Sequence, residues 1–167
     1  MKEVLEGRRL GFAPRSHLAF VAIGLAFGVT LLDFIAWFAW GGVRETNALV
    51  VAAQWLALAA FLVIGLTALT AVAEFGDAPA EERSLARIDQ VAAIAALVLY
   101  AVTVVWRSTE LSAAAPSPVP FLVGIAGLIL LVADAALAAN LYSAREWEEL
   151  EEEPVREHRP RRRAAGR

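Results

Sequence analysis

The sequence predicts an all-α fold, an integral membrane four-helix antiparallel bundle. Two observations predict it. Of the 167 residues, 59% are hydrophobic, and the excess is gathered into four stretches almost free of charge. Basic residues and tryptophans then flank those stretches on alternate sides. A soluble domain of this length needs more polar surface to cover its core, and each of its helices would carry a polar stripe.

The four stretches run over 17–40, 48–73, 88–106 and 120–142. About 20 apolar residues span the hydrocarbon core as a helix, so each is long enough to cross. They form a transmembrane domain over 17–142, preceded by a cytoplasmic segment, 1–16, and followed by a charged cytoplasmic tail, 143–167. The first stretch is too long for the apolar region of a secretory signal and has no small-x-small cleavage site after it. It is therefore expected to remain as the first helix.

Charge sets the expected orientation. With both termini in the cytoplasm, all of the 15 basic residues except Arg44 and Arg107 lie inside, as the positive-inside rule requires. Trp37, Trp40, Trp55 and Trp106 all fall at the helix ends that this topology places outside, where an aromatic belt belongs.

Short linkers make successive helices antiparallel neighbours. The inner connection, EFGDAPAEERSLAR, carries Pro79, Glu81 and Glu82, good chemistry for starting a helix. The outer connection, STELSAAAPSPVP, has three prolines and is expected to be a stiff, extended cap. After Tyr142 an acidic helical segment, a proline and a basic end read as a solvated tail.

The candidate polar residues of the membrane interior are Asp33, Gln54, Tyr100 and Asp134. On the first helix, Ala19, Ala22, Ala26, Thr30, Asp33, Trp37 and Trp40 share a face at helical spacing. The second helix is expected to turn inward a stripe of Gln54, Leu58, Phe61, Gly65, Ala68 and Val72. On the third, Asp89, Ala93, Ala96 and Tyr100 align.

Asp33, Gln54 and Tyr100 lie at similar depths, with Thr30 and Thr103 near them. A carboxylate in mid-membrane costs about 2.5–3.5 kcal/mol unless it finds partners. Asp33 is therefore expected to point into the bundle and accept a hydrogen bond from Gln54 or Tyr100. Asp134 shares a face with Val123, Gly127, Leu130, Ala138 and Leu141, toward the cytoplasmic side and about 10 Å from the depth of Asp33, and no partner for it emerges. The two aspartates read either as polar clamps that fix helix register or as parts of a proton or ion relay.

Gly24 and Gly28 form a GxxxG pair nearly opposite Asp33, a candidate for packing within the chain or for pairing two copies. With no cysteine, disulfides, iron–sulfur clusters and thiolate zinc sites are excluded. The two histidines, His17 and His158, do not place a haem within one bundle; only a haem shared between copies through His17 is conceivable. No cofactor is expected. No nucleophile–base pair, phosphate loop or metal-ligand cluster is recognisable, and the RPRRR run reads as solvated rather than nucleic-acid-binding.

The order of these features resembles a family of small bacterial four-helix membrane proteins, domain-of-unknown-function family 2231. That family opens with a histidine and a helix of the form FPIGL, followed ten residues on by aspartate. Here AIGLAFGVTLLD has His17 upstream and Ile23 ten residues before Asp33. AVAEFGD with Asp77, and DAALAANLY, resemble its further motifs. Leu18 and Ala22 stand where that family has prolines, and Asp89 and Gln90 stand near its third-helix histidine. The resemblance implies the four-helix fold and carries no activity.

The expected function is thus non-enzymatic: a scaffold or accessory subunit of a bacterial inner membrane, in contact with lipid, with itself or with a larger complex. Transport of a small solute or protons through Asp33 and Asp134 is the rival expectation.

Overall fold

A computed structural model describes residues 14–39, 47–76, 80–81 and 83–152, and side chains as far as Ala139 except those of Pro14, Ser16, Ala39 and Glu74. The initial residues, Trp40, Arg44, Asp77, Pro79, Glu82 and the tail beyond Glu152 lie outside the described residues. The chain forms four helices: α1 (Pro14–Ala39), α2 (Ala48–Phe75), α3 (Arg83–Ser108) and α4 (Pro118–Glu152). All four contain stretches long and apolar enough to cross a membrane, and no strand occurs among the described residues. The protein is a multi-pass membrane protein built as a four-helix bundle.

Sequential helices pack against each other and α4 closes back onto α1, so the helices form a ring in chain order. Because neighbours are antiparallel, α1 and α3 run parallel and face each other across the bundle axis. The outer surface is apolar: Phe20, Phe27, Phe34, Phe38, Leu62, Val98 and Ile129 are all more than half exposed, as side chains in contact with lipid are. The interior is lined instead by small residues, Ala22, Ala26, Ala60 and Ala96, around Ile64, Tyr100 and Leu131. Such a lining lets backbones approach closely, and van der Waals packing then holds the helices together.

Helix starts follow their local chemistry. Asn47 caps α2: its Oδ1 accepts the backbone N–H of Leu49 at 2.9 Å. Pro118 and Pro120 stand in the first turn of α4, where a missing N–H is harmless. α1 begins at Pro14 and therefore includes Arg15. α3 starts at Arg83 and ends at Ser108, and so includes Arg107.

Two expectations are corrected. Of the expected α2 stripe, Gln54 and Ala68 are buried, Leu58, Phe61 and Gly65 are half-buried and Val72 faces outward; the buried face is centred instead on Ala53, Ala57, Ala60, Ile64, Thr67 and Ala71. With mostly Ala and Leu on every side, α2 gave the sequence pattern little contrast from which to choose its buried face. The outer connection is not extended. It turns at Glu110, where Glu110 N–H bonds Arg107 O at 2.9 Å and Ala113 N–H bonds Glu110 O at 2.9 Å. It is then tied down across the bundle. Asn47 Nδ2 donates to Ala114 O at 3.2 Å, and Trp37 Nε1 donates to Pro116 O at 2.6 Å. The Trp37 ring also packs on Phe121, centroids 4.6 Å apart.

Candidate functional site

The buried polar groups fall into two sets at opposite ends of the bundle, joined mainly through α1 and α3. At the end bearing Trp37, Trp55 and Trp106, Arg107 meets Asp33. Its Nη1 donates to Oδ1 at 2.9 Å and its Nη2 to Oδ2, a bidentate pair. The two side chains are 2% and 1% exposed. Beside them, on α2, Gln54 Nε2 donates to Val104 O at 3.3 Å.

At the other end, Arg15 Nη2 contacts two carboxylates: Asp89 Oδ2 on α3, and Asp134 Oδ1 on α4 at 3.2 Å. All three side chains are at most 2% exposed. The set therefore binds three of the four helices.

The two sets are related by a simple rule. Arg15 and Asp33 are 18 residues apart on α1, and Asp89 and Arg107 are 18 apart on α3. Eighteen residues are five turns of α-helix, so each pair lies on one face, about 27 Å apart along the axis. That is close to the thickness of the hydrocarbon core, about 30 Å. The charges run basic to acidic along α1 and acidic to basic along α3. Parallel helices facing each other across the axis are thus locked at both ends.

This arrangement corrects the expected partners. Asp33 does point into the bundle, but neither Gln54 nor Tyr100 bonds to it. Gln54 bonds to the α3 backbone, and Tyr100 Oη donates to Gly124 O on α4 at 3.4 Å. A neutral amide or phenol competes poorly with a guanidinium for a buried carboxylate. Thr30 and Thr103 give their hydroxyl hydrogens to carbonyls of their own helices, Ala26 and Leu99. Asp134, for which the sequence suggested no partner, has Arg15. Thr67 and Thr70, close to it in depth, donate to the α2 backbone.

Both arginines escaped the sequence reading because each stands at the margin of an apolar run and served there as a topology charge. The signal that could have found them is the mirrored 18-residue spacing of opposite charges on the first and third helices.

Gly24 and Gly28 do not share one free face. A Cβ at Gly28 would lie 2.8 Å from Leu56 Cδ2, so Gly28 admits α2 to close approach; around Gly24 nothing lies within 4 Å. Between the two charged sets the core is Ala22, Ala26, Ala60, Ile64, Ala96 and Leu131 with the ring of Tyr100. No chain of polar side chains crosses it among the described residues. The described residues also contain no group of three or more histidines or acids placed to hold a metal ion. No protein-family model, curated protein or solved structure matches this chain.

Proposed function

We propose that the protein is a non-enzymatic scaffold or accessory subunit of a bacterial inner membrane, with both ends in the cytoplasm. The observation that carries this reading is the use made of the buried charges. Among the described residues, each buried charged side chain is engaged in an ion pair at one end of the bundle, and packed alanines separate the two ends. Transport needs a polar route that alternates in access. A rigid bundle with locked diagonals instead presents a fixed apolar surface to neighbours in the lipid.

The orientation rests on the described loop charges as well. Arg83 and Arg87, exposed near the start of α3, stand on the side assigned to the cytoplasm. Arg107 is withdrawn into the bundle and no longer counts against that assignment. Membership of domain-of-unknown-function family 2231 belongs to the same proposal, carried by AIGLAFGVTLLD, AVAEFGD and DAALAANLY.

Self-association or entry into a larger complex is tested by cross-linking in native membranes followed by affinity isolation of the tagged chain. A discrete dimer or a reproducible complex is expected. A chain recovered only as a monomer, and passing protons or solutes when reconstituted in liposomes, would overturn the reading in favour of transport.

A further inference from the structure

The two locks are not equivalent. At the outer one a guanidinium meets one carboxylate and the charges balance. At the inner one a single guanidinium nitrogen, Arg15 Nη2, serves both Asp89 Oδ2 and Asp134 Oδ1. The two remaining oxygens, Asp89 Oδ1 and Asp134 Oδ2, are fully buried and have no hydrogen-bond partner among the described residues. With both acids ionised, the set would bury one uncompensated negative charge and two unsatisfied acceptors. Both are costly in an apolar interior, where a charge is usually paired or neutralised.

Among the described residues, the surrounding elements place no second cation against these two acids. On α1, His17 is exposed, two residues beyond Arg15. On α2 the buried polar groups at this depth are Thr67 and Thr70, whose hydroxyl hydrogens go to Val63 O and Thr67 O. On α3, Arg83 and Arg87 are exposed. Among the described residues, only Arg15 reaches either carboxylate with a positive charge.

We propose that Asp89 and Asp134 together form a binding site for one proton, seated between two carboxyl groups that contact the same arginine nitrogen. One carboxyl oxygen then donates to its neighbour, so a single proton satisfies an orphaned atom and neutralises the set at once. A proton fits because the two acids already touch one nitrogen. An acid pair sharing a proton is the smallest group that completes that arrangement, and no further ligands are needed to surround it.

Infrared spectroscopy of the purified full chain in lipid nanodiscs near neutral pH tests this. The wild type is expected to show the carbonyl stretch of one protonated carboxyl per chain, shifted on exchange into deuterium oxide. Asp89→Asn and Asp134→Asn each leave one acid facing one arginine, so both are expected to lose the band completely. Glu110→Gln, which removes a half-buried acid at the other end outside both locks, is expected to keep it. A wild-type spectrum without the band overturns the proposal even if no variant folds, as does a band retained in both inner variants. A melting temperature raised by sodium, with the band absent, would assign the site to a metal cation and equally overturn it.

Discussion

Arg107 grips both carboxylate oxygens of Asp33 across the bundle axis, five helical turns from the contact of Arg15 with Asp89 on the same two helices. The strength of that grip is measurable because the partners are unequal to any replacement. Asp33→Asn or Arg107→Leu leaves one charge buried and unpaired, a change that costs about 3–5 kcal/mol. The double variant Asp33→Leu/Arg107→Leu removes both charges and is expected to unfold within about 1 kcal/mol of the wild type, or above it. Equilibrium unfolding in mixed micelles, run as a double-mutant cycle, reads the difference. Burial also shields the pair from ions, so stability is expected to change little between about 0.05 and 0.5 M salt.

How much of this was legible in the sequence follows from where each signal lay. Apolar length and flanking charge mark the four helices because the bilayer enforces both. The small-residue face of α1 was readable because Asp33 and the alanines stand in phase. The buried face of α2 was legible only at Gln54 and Ala68, since alanine and leucine surround that helix on all sides. The locks were hidden for a different reason: an arginine at the end of an apolar run has the same local context whether it enters loop water or folds back into the core. Only the pairing of helices across the axis separates the two, and that is a tertiary fact.

The outer loop depends on two side chains of other elements. Asn47 both caps α2 and holds Ala114, so Asn47→Ala is expected to cost about 1 kcal/mol for the cap alone, and more once the loop is released. Trp37→Phe keeps the ring against Phe121 but deletes the bond to Pro116 O, a loss of about 1 kcal/mol. Limited proteolysis of the loop 109–117 should accelerate in both variants. An unchanged cleavage rate would show that the prolines alone hold the loop.

Glycines on α4 give a sharper steric test. A Cβ on Gly127 would sit 2.7 Å from Tyr100 Cε2 and 2.9 Å from Cδ2, against a buried ring with no room to retreat. Gly127→Ala is therefore expected to destabilise by about 1–3 kcal/mol. Gly124→Ala, where nothing lies within 4 Å, is expected to be neutral or to gain up to about 1 kcal/mol from helix propensity. Adding Tyr100→Leu should rescue Gly127→Ala, whereas Tyr100→Phe, which keeps the ring, should not. Thermal melts of the four variants decide it.

The absence of cysteine lets the threading of the chain be read directly, since an introduced thiol is the one that reacts. Ala80, between α2 and α3, and Ser112, between α3 and α4, are both exposed and stand at opposite ends of α3. In sealed right-side-out vesicles, a membrane-impermeant maleimide is expected to label Ser112→Cys at once and Ala80→Cys only after permeabilisation. The order reverses in inverted vesicles. Labelling of both sites from one side would mean that α3 does not cross. Early labelling of Ala80→Cys alone in right-side-out vesicles would keep the four spans and reverse their orientation, which separates the fold from the charge argument that orients it.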